Sequence, residues 1–447
     1  QAMRVNKKAI LALLLVLVPS TPVFADNEGL SLEALLKSAV TGNAEIKEKL
    51  ADVQVAEAQQ DQANAAGLPS GQAVVIGAPM PEVRGDVNNS TTNFGKWGPF
   101  IQGAIQIIQP LYTFGQLGSY KDAAQHQILA KQELARMKKD EIVYKTKEYY
   151  YGYQLAHTLE SLVADVVGTL EEAAAEADKG IKKKKSKIKP HDVYHLKTEL
   201  ENLRQLGLEA TAAKKTAERA VAWISAKNFE QLPVRKIRPT EFEKKTLDDY
   251  MTLARANRPE FKALKEGIQA RRSLRDAKQA QSYPVLFLGG TFAGGWSPVA
   301  DRPNSLYAND YFNRVIGGGG VGLRFDLEFW RHSAEAAEQE AEMMKLKAQE
   351  EYAVPGIELE VKRAFWDLEK ASEGLEIADK RRKMARKWFI SNASGFALGI
   401  TPAKDLMDSL QGDALAKKNH AETIYALNMA LATLSQKVGV EVADLKY

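Results

Sequence analysis

The chain of 447 residues contains no cysteine. That excludes disulfides, thiolate metal sites and a lipid-carrying N-terminal cysteine, so a fold of this size must rest on its buried core. After the first 25 residues no run approaches 18 consecutive apolar residues, which excludes a transmembrane helix from the mature protein. If the mature chain crosses a membrane, it must do so with strands. A charge excess is missing too. Removing Arg4, Lys7 and Lys8 with the N-terminal segment lowers Lys+Arg from 61 to 58, against 57 Asp+Glu. A near-neutral mature chain gives no electrostatic ground for binding nucleic acid.

That segment, 1–25, has the layout of a secretory signal peptide. Three basic residues precede an apolar run from Ala9 to Val18, and Val23-Phe24-Ala25 offers a small-residue cleavage site before Asp26. The protein is expected to leave the cytoplasm.

The remaining chain repeats itself at an offset of about 215 residues. The stretch 45–69 aligns without gaps on 260–284, carrying Glu45, Lys47, Gln54, Ala65 and Pro69 onto Glu260, Lys262, Gln269, Ala280 and Pro284. Farther on, Phe114 falls on Phe329, Lys147 on Lys362 and Tyr150-Tyr151 on Phe365-Trp366. The predicted organisation is a first repeat over 26–227, a connector over 228–247, a second repeat over 248–436 and a tail over 437–447. Each repeat reads as helix, two strands, long helix, turn, helix.

The first helix, over 31–66, is rich in good helix formers and stops at Gly67-Leu68-Pro69. In FIQGAIQIIQPLY (100–112), Ile101, Ile105, Ile107 and Leu111 alternate with Gln102, Ala104 and Gln106. In VIGGGGVGLRFDL (315–327), Val315, Val321, Leu323, Phe325 and Leu327 alternate with glycines, Arg324 and Asp326. One greasy and one wet face suit a barrel wall between lipid and water. Phe94, Trp97 and Phe100 in one repeat, and Trp296, Tyr311 and Phe312 in the other, suit an interfacial girdle. Segments 116–178 and 330–392, interrupted by proline only at Pro355, predict rods of roughly 90–100 Å at about 1.5 Å per residue. They reverse and return over 192–227 and 403–436. Four strands cannot close a membrane barrel, which needs about eight, so several copies must build it.

Several motifs resemble active sites and lack the context. HDVYH (191–195) has zinc-like histidine spacing but no visible third ligand, and reads as a solvated helix start. GGGGVG (317–322) satisfies the dinucleotide pattern, yet strand-like residues follow it where a helix should open. Arg84-Gly85-Asp86 lies in a loop. The basic run Lys182–Lys189 reads as a solvated turn or as a dock for an acidic partner. No catalytic residue, metal site or cofactor is expected.

The duplicated layout, the prolines closing each first helix (Pro69, Pro284), the junction QPLYTFGQ (109–116) and LGITPAKDLMD (398–408) together resemble the TolC-type outer-membrane factors. That family forms the trimeric exit ducts of bacterial efflux pumps and type I secretion systems. The resemblance covers essentially the whole mature chain. It implies a mainly α protein with a membrane β part. Each protomer gives four strands to a trimeric 12-stranded barrel, continuous with a long periplasmic α-helical barrel. It implies location in the outer membrane, contact with its lipid, and partnership with a periplasmic adaptor protein and an inner-membrane transporter.

It also places Asp405 and Asp408 at the acidic periplasmic entrance, and Asp192, Phe396 and Thr401 at the closure of the tip. Phe396 and Thr401 stand where the family's polar lock uses Tyr and Arg, so closure is expected to rest on packing by Phe396, Leu398 and Ile400. In GITPAKD the spacing predicts Thr401 as N-cap of the following helix, with Pro402 at its first position. Two turns are expected to meet the adaptor: Leu398, Gly399 and Ile400 in one, Lys182, Lys183, Lys184 and Lys185 in the other. The alternative is a periplasm-spanning coiled-coil spacer that conducts nothing.

Overall fold

The structure, a computed structural model, describes residues 31–85, 89–182, 190–227, 232, 235–302, 310–398 and 400–443. The expected signal peptide lies outside the described residues.

The predicted first helix is two helices in each repeat. Helix α1 (Leu32–Gly42) starts at Ser31, whose side chain accepts from Ala34 N–H, and stops at Asn43. Asn43 then caps α2 (Ala44–Ala65), its Oδ1 accepting from Glu45 N–H at 2.8 Å. An Asn side chain competes with helical backbone bonds, and here it ends one helix and opens the next. In the second repeat Thr246 and Asp249 form a capping box for α5 (Leu247–Asn257). Arg258 breaks the helix before Pro259, which opens α6 (Pro259–Ala280).

Four antiparallel strands follow these pairs: β1 (Ser70–Arg84), β2 (Thr91–Tyr112), β3 (Val285–Trp296) and β4 (Val315–Arg324), in that spatial order. Strand β2 begins well before Phe100. Strand β4 stops short of Phe325 and Leu327, because Arg324 pairs with Val285, the first residue of β3. One face is apolar, while the other mixes polar rows with apolar ones such as Val74, Ala104, Ala293 and Ile316. Gln72, Gln106, Thr291 and Gly318 form one row; Ala73, Ile105, Phe292 and Gly317 form the next, on the opposite face. Leu288 pairs with Val321 and Leu286 with Leu323 on the apolar side. The glycines of GGGGVG therefore lie in a strand. Gly322 and Gly317 leave room for the rings of Phe287 and Phe292, which would stand 2.8 and 3.1 Å from an added Cβ.

From the sheet run α3 (Gln116–Lys182) and α7 (Phe329–Ala397), of 67 and 69 residues, each about 100 Å long at 1.5 Å per residue. Phe114 and Gly115, both with positive φ, make the turn from β2 into α3. Helices α4 (Pro190–Ile224) and α8 (Ala403–Val438) return. The repeat register persists inside the rods: Ile142, Thr146, Tyr150 and Tyr153 are buried, as are Ile357, Val361, Phe365 and Leu368, each 215 residues later. On the returning helices the offset is 213, matching Val193 to Leu406 and Val221 to Leu434. The turn between α7 and α8 is two residues shorter than its counterpart.

Midway along the rods the connector is tied in by hydrogen bonds. Ile237 N–H donates to Thr158 Oγ1 at 3.0 Å, Thr240 N–H to Asn428 Oδ1 at 2.9 Å, and Asn428 Nδ2 to Arg238 O at 2.9 Å. Beyond α8, Glu441 pairs with the buried Lys147, joining the C-terminal segment to α3. The core is a chain of clusters and not one mass. One lies at the free ends of the rods, and several surround Tyr250, Phe365, Tyr150 and Leu32 near the middle.

Candidate functional site

At the end of the rods away from the sheet, one apolar cluster joins both hairpins. It contains Val166 and Leu170 of α3, Leu196 and Leu200 of α4, Phe389 and Phe396 of α7, and Leu406 and Leu410 of α8. The tip residue Phe396, 9 % exposed, is part of this core. Leu398 and Ile400 are not: they stand 75 and 76 % exposed on the turn. Of these three residues, Phe396 is the one packed within a single chain.

The turn closes on Gly395. Its carbonyl accepts from Ile400 N–H at 2.8 Å and from Thr401 N–H at 3.1 Å. A Cβ on Gly395 would meet Thr401 Oγ1 at 2.1 Å, so the Thr401 side chain fills that gap. With its N–H and side chain committed to Gly395, Thr401 does not cap α8. Pro402 occupies the N-cap position and supplies no side-chain hydrogen bond. The predicted Thr401 cap is corrected accordingly.

Asp405 lies in the first turn of α8 and Asp408 three residues on, both exposed. Leu406, Ser409 and Leu410 face the core, so the two acids project from the opposite side of the helix. Neither carboxylate makes an ion pair or a side-chain hydrogen bond with another described residue. Asn392 donates to the Asp405 carbonyl at 2.9 Å and ties the start of α8 back to α7. The arrangement presents two solvated negative charges beside a packed turn.

Lys182 ends α3 and Asp192 lies in the first turn of α4. Their side chains fall outside the described residues, as do Lys183, Lys184, Lys185 and Gly399.

Sequence reasoning passed over Asp413. It is 2 % exposed, held by Lys417 Nζ at 2.7 Å and by Arg386 at 3.5 Å, and Arg386 also lies over the Phe389 ring. The signal available was the i,i+4 spacing of Asp413 and Lys417. A second unmarked group lies farther along the hairpin, where Asp379 meets Lys383 at 2.6 Å, Arg382 at 2.9 Å and His420 at 3.8 Å.

The small antiparallel sheet carried on duplicated long helical hairpins is a fold shared with solved outer-membrane channels. A sequence model described as "Outer membrane efflux protein" matches residues 251–440, nearly all of the second repeat. The fold extends the likeness to the whole chain. The solved structure of CusC matches with a TM-score of 0.74 at 15% identity, over 92% of this chain and 93% of that one. The open-state outer-membrane channel MtrE of Neisseria gonorrhoeae matches at 0.72 and 15% identity, over 92% and 89%. The outer-membrane protein VceC of Vibrio cholerae matches at 0.72 and 13% identity, over 92% and 96%. No curated protein sequence matches the chain. The second repeat thus matches the outer membrane efflux protein family, and the chain as a whole shares the fold of solved outer-membrane channels.

Proposed function

We propose that three copies of this chain form a passive exit duct, with twelve strands in the outer membrane and the helical hairpins as a periplasmic tunnel. The observation that carries this is the four-stranded sheet, apolar on one face and mixed on the other, where Gln72, Gln102, Gln106 and Thr291 lie, with β1 and β4 as its outer strands. Open edges are not tolerated in lipid, so other copies must pair with them. Helix α7 supports the same reading. Tyr352, Leu359 and Trp366 recur every seven residues at 85, 63 and 54 % exposure, followed by Ile377 and Met384 at 66 and 61 %. A heptad row this exposed needs a neighbouring helix to cover it.

In this reading Asp405 and Asp408 ring the periplasmic entrance, and the tip is held shut by the cluster around Phe396, with Asp192 and Thr401 beside it. The exposed Leu398 and Ile400, with Gly399 and the basic turn Lys182–Lys185, would dock on a periplasmic adaptor. That adaptor links the duct to an inner-membrane transporter of an efflux pump or type I secretion system, which supplies the energy.

Current through the purified protein in planar bilayers tests the duct, and chemical crosslinking in cells tests the assembly. The expected results are discrete channel steps and a three-copy product that also captures an adaptor. Leu398→Asp with Ile400→Asp should abolish that capture and leave the three-copy product intact. A protein that crosslinks to itself and conducts nothing would instead be a spacer.

A further inference from the structure

The hairpin end of the sheet is covered on one face. Most of the sheet is bare in a single chain, yet Met80, Glu82, Ser297 and Ala300 are 8, 7, 2 and 9 % exposed. Ser297 and Ala300 belong to segment 297–302, which folds back from the end of β3 across the β1–β2 hairpin. Val83 N–H donates to Val299 O at 2.9 Å, Asp301 N–H donates to Val83 O at 3.0 Å, and Ala300 forms a parallel bridge with Val83. Arg84 holds Asp301 at 2.5 Å and Glu82 at 2.6 Å, while Lys96 meets Glu82 at 2.7 Å. Gly85 N–H adds a bond to Asp301 at 3.2 Å.

The returning limb, 310–314, is fastened as well. Ser297 N–H donates to Asn313 Oδ1 at 2.8 Å, Asn313 Nδ2 donates to Ala300 O at 3.2 Å, and Phe312 lies edge-on to Phe100 at 6.0 Å. Phe100 and Phe312 thus pack on each other and do not belong to a lipid-facing girdle.

The pleat identifies the covered face. Val299 occupies the space above Gly98, where a Cβ would lie 2.3 Å from its nearest methyl. Gly98 pairs with Met80, Phe100 with Ala78, Gln102 with Ile76 and Gln106 with Gln72, so these alternate residues of β2 share one face. The segment therefore lies on the mixed side, with Gln106 and Thr291, and not on the side of Ile105 and Phe292.

We infer that segment 297–302 is an inward strap that narrows the outer mouth of the duct, latched by the Glu82–Arg84–Asp301 ion pairs. The inference rests on the proposed duct, because only in a closed barrel does the mixed face become the lumen. Symmetry then brings one strap from each copy toward the axis. Half-exposed ion pairs are weak by themselves. Here they reinforce two backbone hydrogen bonds and a valine seated on a glycine, so the charges set how often the strap lifts.

The test uses the full-length protein with Thr291→Cys as its sole thiol, labelled by a bulky maleimide added from the hairpin-loop side. Arg84→Ala with Asp301→Ala should speed labelling several-fold and enlarge the single-channel current. Val299→Gly, which leaves every charge in place, should do the same. In a protein without the labelling thiol, Gly98→Cys with Val299→Cys places two Cβ atoms near 3.2 Å, a small shift from disulfide range. Oxidation should hold the current at or below the wild-type level, and reductant should restore it. Unchanged labelling in both loosened variants, with current still flowing, would overturn the strap. Absence of current in every variant, wild type included, would overturn the duct reading and with it the strap's role.

Discussion

His420 shows how a single side chain can carry a pH response in the α7–α8 hairpin. Burial pushes its pKa below the usual 6.5, and Arg382 pushes the same way against Asp379. Asp379 is itself held down to about 2, first by Lys383 and then by Arg382. The two groups act in different windows. A histidine with a depressed folded pKa supports the fold above about pH 6.5, and that support is lost as the pH falls through its folded value. The contribution of Asp379 is present above about pH 4 and fades only toward pH 2. Between pH 7.5 and 5.5 Asp379 stays ionised, so of this pair only the histidine contributes to a change in that interval. Thermal unfolding followed by circular dichroism should show a fall of a few degrees across it. His420→Gln should flatten the slope. Asp379→Asn should steepen it, because Arg382 then acts on His420 unopposed. An equal slope in the His420→Gln variant would remove this assignment.

Among the elements, α7 carries the one feature its composition opposes, Pro355 at an exposed position inside a 69-residue helix. Proline gives no N–H and crowds the carbonyl four residues earlier, a cost of about 3 kcal/mol against alanine in a helix interior. Pro355→Ala should therefore raise the melting temperature of the detergent-solubilised protein, by less than that full amount if the helix already bends there. A lower melting temperature, or loss of the three-copy species on a native gel, would mean that the bend itself is needed for assembly. Element types and their order were legible from the 215-residue repeat, and the breaks at Asn43 and Arg258 obey the same offset. Those breaks did carry a signal that went unread, since Gly42 precedes Asn43 and Asn257 and Pro259 flank Arg258. The start of β2, TTNFGKWGP, was missed because it has no alternation to read. Strand β4 was extended too far for the opposite reason: Phe325 and Leu327 keep the alternation going where β3 offers no partner. Strand ends depend on a neighbour, which one segment of sequence does not contain. At the tip, the placement of Asp405 and Asp408 in the first turns of α8 was legible from LGITPAKDLMD. The seat of Thr401 on Gly395 was not, since it depends on a contact across the turn.

At the scale of the whole assembly, the two acids of α8 become a property of an axis. Three copies would place six carboxylates around one entrance, none of them paired with a described residue of its own chain. Such a ring concentrates cations and favours multivalent ones. The effect should be strongest at low ionic strength, since at about 0.15 M charges more than about 8 Å apart are largely screened. Asp405→Ala with Asp408→Ala should move the reversal potential under a salt gradient toward zero and weaken block by divalent cations. Asp413 provides the comparison within the same helix. It is buried and already paired with Lys417 and Arg386, so Asp413→Asn should lower stability and leave ion selectivity unchanged. If the double alanine variant keeps wild-type selectivity and block, the acids do not line the entrance. Their position at the start of α8 would then be explained by its N-terminal dipole alone, which stabilises nearby carboxylates by about 0.3–1 kcal/mol without any pore. Opposite responses of the exposed and buried aspartates are therefore what the ring requires, and a helix-start role predicts no change in selectivity from either.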